Sequence, residues 1–309
     1  MMPTREQELA VLRSVIYASL FEYPLTLAQL ESSLVGVRAD AAAIESWCRE
    51  SDLLRAAIEQ RDGFYFPAGR GDLVSTRARR EALSRDMLER DRRILSFVSG
   101  IPFVRMVALS GSLAHLNAEG TADLDLFVIT APHRVWCVTV ATLVLAKLLG
   151  WRKRVCMNYV ISERAMSIEP QDLFSANQII HLRPISGHHV FQRFVQQNGF
   201  VRQVYPNFAL DGAPAFAPSE LRRGRLSLSL VMEKLLSLGI APLAERFARA
   251  LYGWYLRRKA ATWQSREQVR LEADCLKLHT TSHRTETLNR YEAAVTTALR
   301  SARHETLAS

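Results

Sequence analysis

Residues 110–128 of this 309-residue chain, SGSLAHLNAEGTADLDLFV, gather the groups that could do chemistry. The apolar run Val107-Ala108-Leu109 leads into Gly111-Ser112, and Asp123-Leu124-Asp125 runs straight into Leu126-Phe127-Val128-Ile129. Carboxylates at i and i+2 on a strand point to one face. They sit about 7 Å apart along it, close enough to share one or two hard cations. The Gly-Ser turn offers free backbone N–H groups and a hydroxyl, which suits a phosphate. Together these parts predict a metal–triphosphate site, with Asp123 and Asp125 on Mg2+ and Gly111 and Ser112 on the phosphates. His115, within one helical turn of Gly111-Ser112, is placed to approach a phosphate. The plainer alternative is a surface turn with two exposed aspartates on an edge strand, but the apolar run after Asp125 reads as buried. Ser112 is not a hydrolase nucleophile, because the Gly-x-Ser-x-Gly pattern is missing.

The elements that must hold these residues follow from hydrophobic periodicity. Strands are expected at 104–109, 124–129 and 154–161. A short helix follows Gly111, and longer ones span 133–149 and 171–182. In the strand Arg154–Ile161 the central polar residue is Asn158. An amide can offer a metal its carbonyl oxygen but cannot act as a general base.

This pattern resembles the DNA polymerase beta-like nucleotidyltransferase superfamily. Its signature is an apolar strand ending in Gly-Ser or Gly-Gly, a helical turn, then Asp-apolar-Asp on the next strand. Gly111, Ser112, Asp123 and Asp125 match it. The resemblance implies an α+β fold: a nucleotidyltransferase-type mixed sheet with helices at about 100–210. It also implies a third carboxylate on a later strand, where Asn158 stands. Glu163, Glu169 and Asp172 are not clear replacements. The implied reaction is transfer of a nucleoside monophosphate from Mg-NTP, ATP foremost, to a hydroxyl or phosphate acceptor with release of pyrophosphate. Asn158 would complete the metal shell or orient the acceptor. The alternative is a nucleotide-binding regulator with a degenerate site. A third reading is a tRNA-directed enzyme, with the basic C-terminal third on the phosphate backbone.

Residues 1–70 read as a winged-helix-like domain: three helices, then a hairpin about Asp62-Gly63 flanked by Leu53–Glu59 and Phe64–Phe66. Its third helix, DAAAIESWCRE, is acidic, and the segment holds seven arginines against ten acids. Specific binding to duplex DNA is therefore not expected; docking to a protein partner or self-association is. Residues 71–99 read as a solvated linker helix of alternating charges, with a thin apolar stripe of Leu83, Met87 and Leu95. The overall order also resembles a bacterial group of uncharacterised proteins with a winged-helix-like N-terminus, a nucleotidyltransferase domain and a helical tail. The segments that carry this are Tyr17–Leu27, Val107–Val128, Met157–Ile161, Gln171–Pro184 and Leu276–His279.

Residues 211–309 read as a helical C-terminal domain after a Pro/Ala-rich linker at 206–218, with helices at 219–239, 242–265 and 284–303. In 242–265, Leu243, Phe247, Leu251, Trp254 and Tyr255 fall on one side. Such a stripe is expected in a core, with the arginines reaching water; a membrane-surface helix is the alternative. Lys277, His279 and His283 are expected at the surface near the cap of the last helix, with a phosphate or metal role as the alternative. The net charge of +9 is concentrated beyond residue 100. Cys48, Cys137, Cys156 and Cys275 are far apart, form no Cys-x-x-Cys, and read as small buried hydrophobes. The charged first twenty residues do not resemble a signal peptide, and the apolar run 135–150 is too short to span a bilayer. A reducing cytoplasm is the expected location.

Overall fold

A computed structural model of the protein describes residues 2–120, 122–210, 231–237, 239–280 and 283–308. The first helices start at side-chain caps. The Thr4 hydroxyl accepts from the Gln7 N–H while Gln7 reaches back to the Thr4 N–H, opening α1 (Arg5–Ser19). Thr26 and Gln29 repeat the device at α2 (Leu27–Ser32), and Asp40 caps α3 (Ala41–Glu50). The strand expected over 53–59 is mostly helix. Ser51 accepts from the Leu54 N–H and opens α4 (Asp52–Ala57). Among the first strands, β1 is Leu25–Thr26, β2 only Ile58–Arg61 and β3 Phe64–Pro67, in the order β1-β3-β2. Asp62 and Gly63 both have positive φ (53° and 78°), as a two-residue hairpin turn requires.

α5 (Asp72–Ser99) buries more than the thin apolar stripe expected of a solvated linker. Met87, Leu88, Ile94, Leu95 and Val98 are buried against the central sheet. That sheet is mixed, making the protein α+β. Its strands are β4 (Val104–Leu109), β5 (Leu124–Thr130), β6 (Val155–Ser162), β7 (Arg183–Ser186), β8 (Val269–Leu271) and β9 (Cys275–Leu278), in the order β7-β4-β5-β6-β9-β8. Only β5 and β6 are parallel. They are joined over one face by α7 (Val135–Leu148), whereas the short α6 (Gly111–Ala114) links β4 to β5. Alternate residues of β4 and β5 feed two cores. Val107, Leu109, Leu126 and Val128 meet α5 and α7. Met106, Ala108, Phe127 and Ile129 meet α8 (Leu173–Ile180), α9 (His188–Gln197) and α10 (Phe200–Val204).

The C-terminal region, expected to be helical, also holds β8 and β9, which extend the sheet beyond β6. Strands of three and four residues are too short to show a period in the sequence. The linker at 206–218 and the helix at 219–239 lie mostly outside the described residues, of which 231–237 are helical. α11 (Ile240–Lys259) packs on α7, and Glu245 accepts from the Trp136 and Cys137 N–H groups at 3.1 and 2.7 Å. This satisfies donors of the first turn of α7. Small residues, Ala241, Ala248 and Gly253, permit the approach. The stripe expected in the core therefore points away from it: Leu243, Phe247, Leu251 and Trp254 are 53–69 % exposed. α12 (Arg284–Ala308) returns to the N-terminal helices, where Tyr291 meets Tyr17 edge-on at 5.4 Å. Among the described residues no helix is long and apolar enough to cross a membrane.

Candidate functional site

β4 delivers the chain to Ser110, whose N–H donates to the Asp125 carbonyl at 2.9 Å. Gly111 follows with φ +66°, and a Cβ built there would stand 2.5 Å from Asp125 Oδ2. Only glycine lets the backbone run this close to the carboxylate. On the other side, β6 pairs Cys156 with Asp125, then slips by a bulge so that Tyr159 pairs with Phe127. The bulge leaves Cys156, Asn158 and Tyr159 half-buried, and Asn158 Nδ2 donates to Asp125 Oδ1 at 3.1 Å.

The two aspartates and the Cys156 thiol bring one ligand atom each within 4.8 Å of one another. Burial, then the charge of Asp123, raises Asp125 to about 6, against hydrogen bonds from Cys156 and Asn158. Burial and the same two carboxylates push the Cys156 thiol up to about 12. The donor set of two carboxylates and a sulfur fits a divalent cation, which would lower both values.

A cavity of about 1000 Å³ opens from this point, and Gly111, Ser112, His115, Asp125 and Asn158 all line it. Among the described residues no partner holds the Ser112 hydroxyl. His115 faces His181, with ring centroids 4.1 Å apart. Burial and the neighbouring His181 and Arg183 push His115 well below its usual range, and burial lowers His181 to about 4. Both rings are therefore neutral at pH 7. His181 Nδ1 donates to the Asn177 carbonyl at 2.8 Å, which leaves Nε2 as an acceptor.

The N-terminal helices form one wall. Arg80 bridges Glu22 and Glu119 at 2.6 Å each, and Asn117 Nδ2 donates to the Phe21 carbonyl at 2.8 Å. These contacts fasten residues 21–22 to the loop that leads to Asp123.

No protein-family model, curated protein or solved structure matches the chain.

The site thus brings Gly111, Ser112, Asp123, Asp125 and Asn158 together and sets His115 in the same cavity. Glu163, Glu169 and Asp172 stay out of it. Glu163 pairs with Arg193, and Asp172 caps α8 and pairs with Arg284. Lys277 and His279 are not the surface residues expected. Lys277 is buried on β9, donates to Gln268, lies 4.9 Å from the Tyr159 ring and is lowered to about 8 by burial. His279 lines the cavity, and burial lowers it to about 4. Sequence reasoning passed over Cys156 and His181. The signal for Cys156 was its place two residues before Asn158, hence on the same face of a strand; His181 carried no comparable signal.

Proposed function

We propose that the cleft is a nucleotidyltransferase site built on a polymerase-beta-like fold, with the N-terminal helices and hairpin as a winged-helix-like wall. The observation that carries this reading is the convergence on Asp125: Gly111 backbone on one side, Asp123 and Cys156 on the second, Asn158 on the third. Asp123 and Asp125 would hold a divalent cation, and the chemistry it would supply there is neutralisation of charge on the phosphates. The Gly111 N–H and the Ser112 hydroxyl hold the terminal phosphates. An acceptor oxygen attacks the α-phosphorus, giving up its proton to water where the acceptor is a hydroxyl; the bond from that phosphorus to the bridging oxygen of the β-phosphate breaks, and pyrophosphate leaves. Asn158 orients Asp125 through its Nδ2 and takes no proton.

A second reading, a nucleotide-binding regulator of little or no turnover, is favoured by that amide standing where the superfamily has its third carboxylate. Pyrophosphate release separates the two. The test is a thermal-shift screen of NTPs with Mg2+, Mn2+ and Zn2+, followed by an assay for pyrophosphate. A ligand that binds only the folded state raises the melting temperature. Asp123→Asn with Asp125→Asn should abolish that shift while the unliganded protein stays folded. If the double variant binds metal–NTP as tightly as the parent, the metal assignment is wrong.

A further inference from the structure

α11 carries most of its large hydrophobic side chains outward. Ile240, Leu243, Phe247, Leu251, Trp254 and Tyr255 are each 43–69 % exposed. The helix has no freedom to roll them inward. The bidentate contact of Glu245 with the start of α7, and the burial of Ala241, Ala248 and Leu256, fix which face is covered. α7 adds exposed Val144, Leu145 and Leu148. A patch of this kind on a rigid support marks an interaction surface.

The charges around the patch say what covers it. Arg246, Arg249, Arg257, Arg258 and Lys259 are exposed, and Glu245, the one acid of the helix, is buried. Among the described residues none of these five pairs with a carboxylate. Lys147, Arg152 and Lys153, at the end of α7 and just beyond it, are exposed as well. Arg258 lies over the Trp254 ring at 4.7 Å and Lys259 over the Tyr255 ring at 5.1 Å. An aromatic ring beside a cation at the edge of an apolar stripe suits the boundary between acyl chains and headgroups. A second copy on the same face would bring two arginine clusters together, at a Coulombic cost. An anionic bilayer opposes them with phosphates.

We propose that the protein docks on anionic membrane surfaces through α11 and the exposed end of α7. The apolar stripe enters the acyl boundary and the basic flanks lie on the headgroups. The helix rests on the membrane and does not span it. This proposal does not rest on the nucleotidyltransferase reading.

Flotation of the full chain with vesicles tests it. Binding to phosphatidylcholine vesicles holding about one-third phosphatidylglycerol should be roughly tenfold tighter than to phosphatidylcholine alone, and should weaken with salt. Phe247→Glu with Trp254→Glu should stop flotation without moving the melting temperature, because both side chains are exposed. Trp254→Phe should float as before, yet lose most of the vesicle-induced blue shift of tryptophan emission. That second variant decides the matter if the glutamate pair fails to fold. The proposal is overturned if the parent stays unbound to anionic vesicles at low salt, or if the glutamate pair floats as well as the parent. It is also overturned if the protein is a dimer in solution that the glutamate pair splits, since the face would then be a self-interface.

Discussion

The cleft at β5 and β6 and the outer face of α7 and α11 are both built on the central sheet, and they handle charge in opposite ways. In the cleft, Asp123 and Asp125 crowd together, and burial with the neighbouring charge raises the Asp125 carboxyl to about 6 despite donors beside it. On the outer face, five cations of α11 stand in water beside bare hydrophobic side chains. The concave region concentrates negative charge where a small cation fits. The convex one spreads positive charge where only an extended anionic surface can meet all of it. The two regions therefore select ligands of different size, and a change in one should leave the other's binding intact.

Gly111→Ala should have the largest effect. The new Cβ meets Asp125 Oδ2 at a backbone φ of +66°, so strain and overpacking should cost roughly 2–4 kcal/mol of stability. Denaturant unfolding measures this, and metal–NTP stabilisation should vanish while vesicle flotation of the folded fraction persists. Loss of both bindings in a folded protein would show that cleft and outer face are coupled. Asn158→Asp comes next. It replaces a donor to Asp125 with a third carboxylate, and should tighten Mg2+ or Mn2+ about tenfold while lowering unliganded stability at neutral pH. Titration calorimetry reads the first effect and thermal melting the second. If metal affinity does not change, Asn158 does not occupy the third corner.

On the stability of the unliganded protein, Asp125→Asn alone should have a smaller effect than Gly111→Ala, and its sign is distinctive. The folded-state value of Asp125 lies above its ordinary 3.8, at about 6. Its protonated form therefore favours folding, and that contribution is lost as pH rises from about 3.8 through about 6. An amide escapes the loss. The unliganded variant should be more stable than the parent by roughly 1–3 kcal/mol at pH 7, with the gain fading towards pH 4. A variant less stable than the parent at pH 7 would mean that Asp125 is not held at such a cost. Flotation should be unchanged in both variants.

Much of the sheet was legible in the sequence because β4, β5 and β6 are long enough to show a period and are bounded by turns. The Gly111–Asp125 site was legible because its residues lie close together along the chain. Other features depend on contacts far apart in sequence. Arginines along α5 suggested solvent, yet Arg80 reaches Glu22 and Glu119, and the intervening side chains line a core. The stripe on α11 suggested a core, yet one buried carboxylate and three small residues chose the other face. Cys156 was read as a small hydrophobe because its spacing to Asn158 shows a shared strand face but not that β6 pairs it with Asp125.

The pairing of β6 with β9 has a consequence for biosynthesis. Residues 275–278 lie far downstream of the strand they cover. While the chain is being made, β6 can pair with β5 but keeps its other edge open, and an open edge invites pairing with other chains. α12 likewise reaches the N-terminal helices only after β9 has been made. The cleft wall and the sheet edge thus close late, and translation stalled between β6 and β9 would release a partial sheet with an open, adhesive β6 edge.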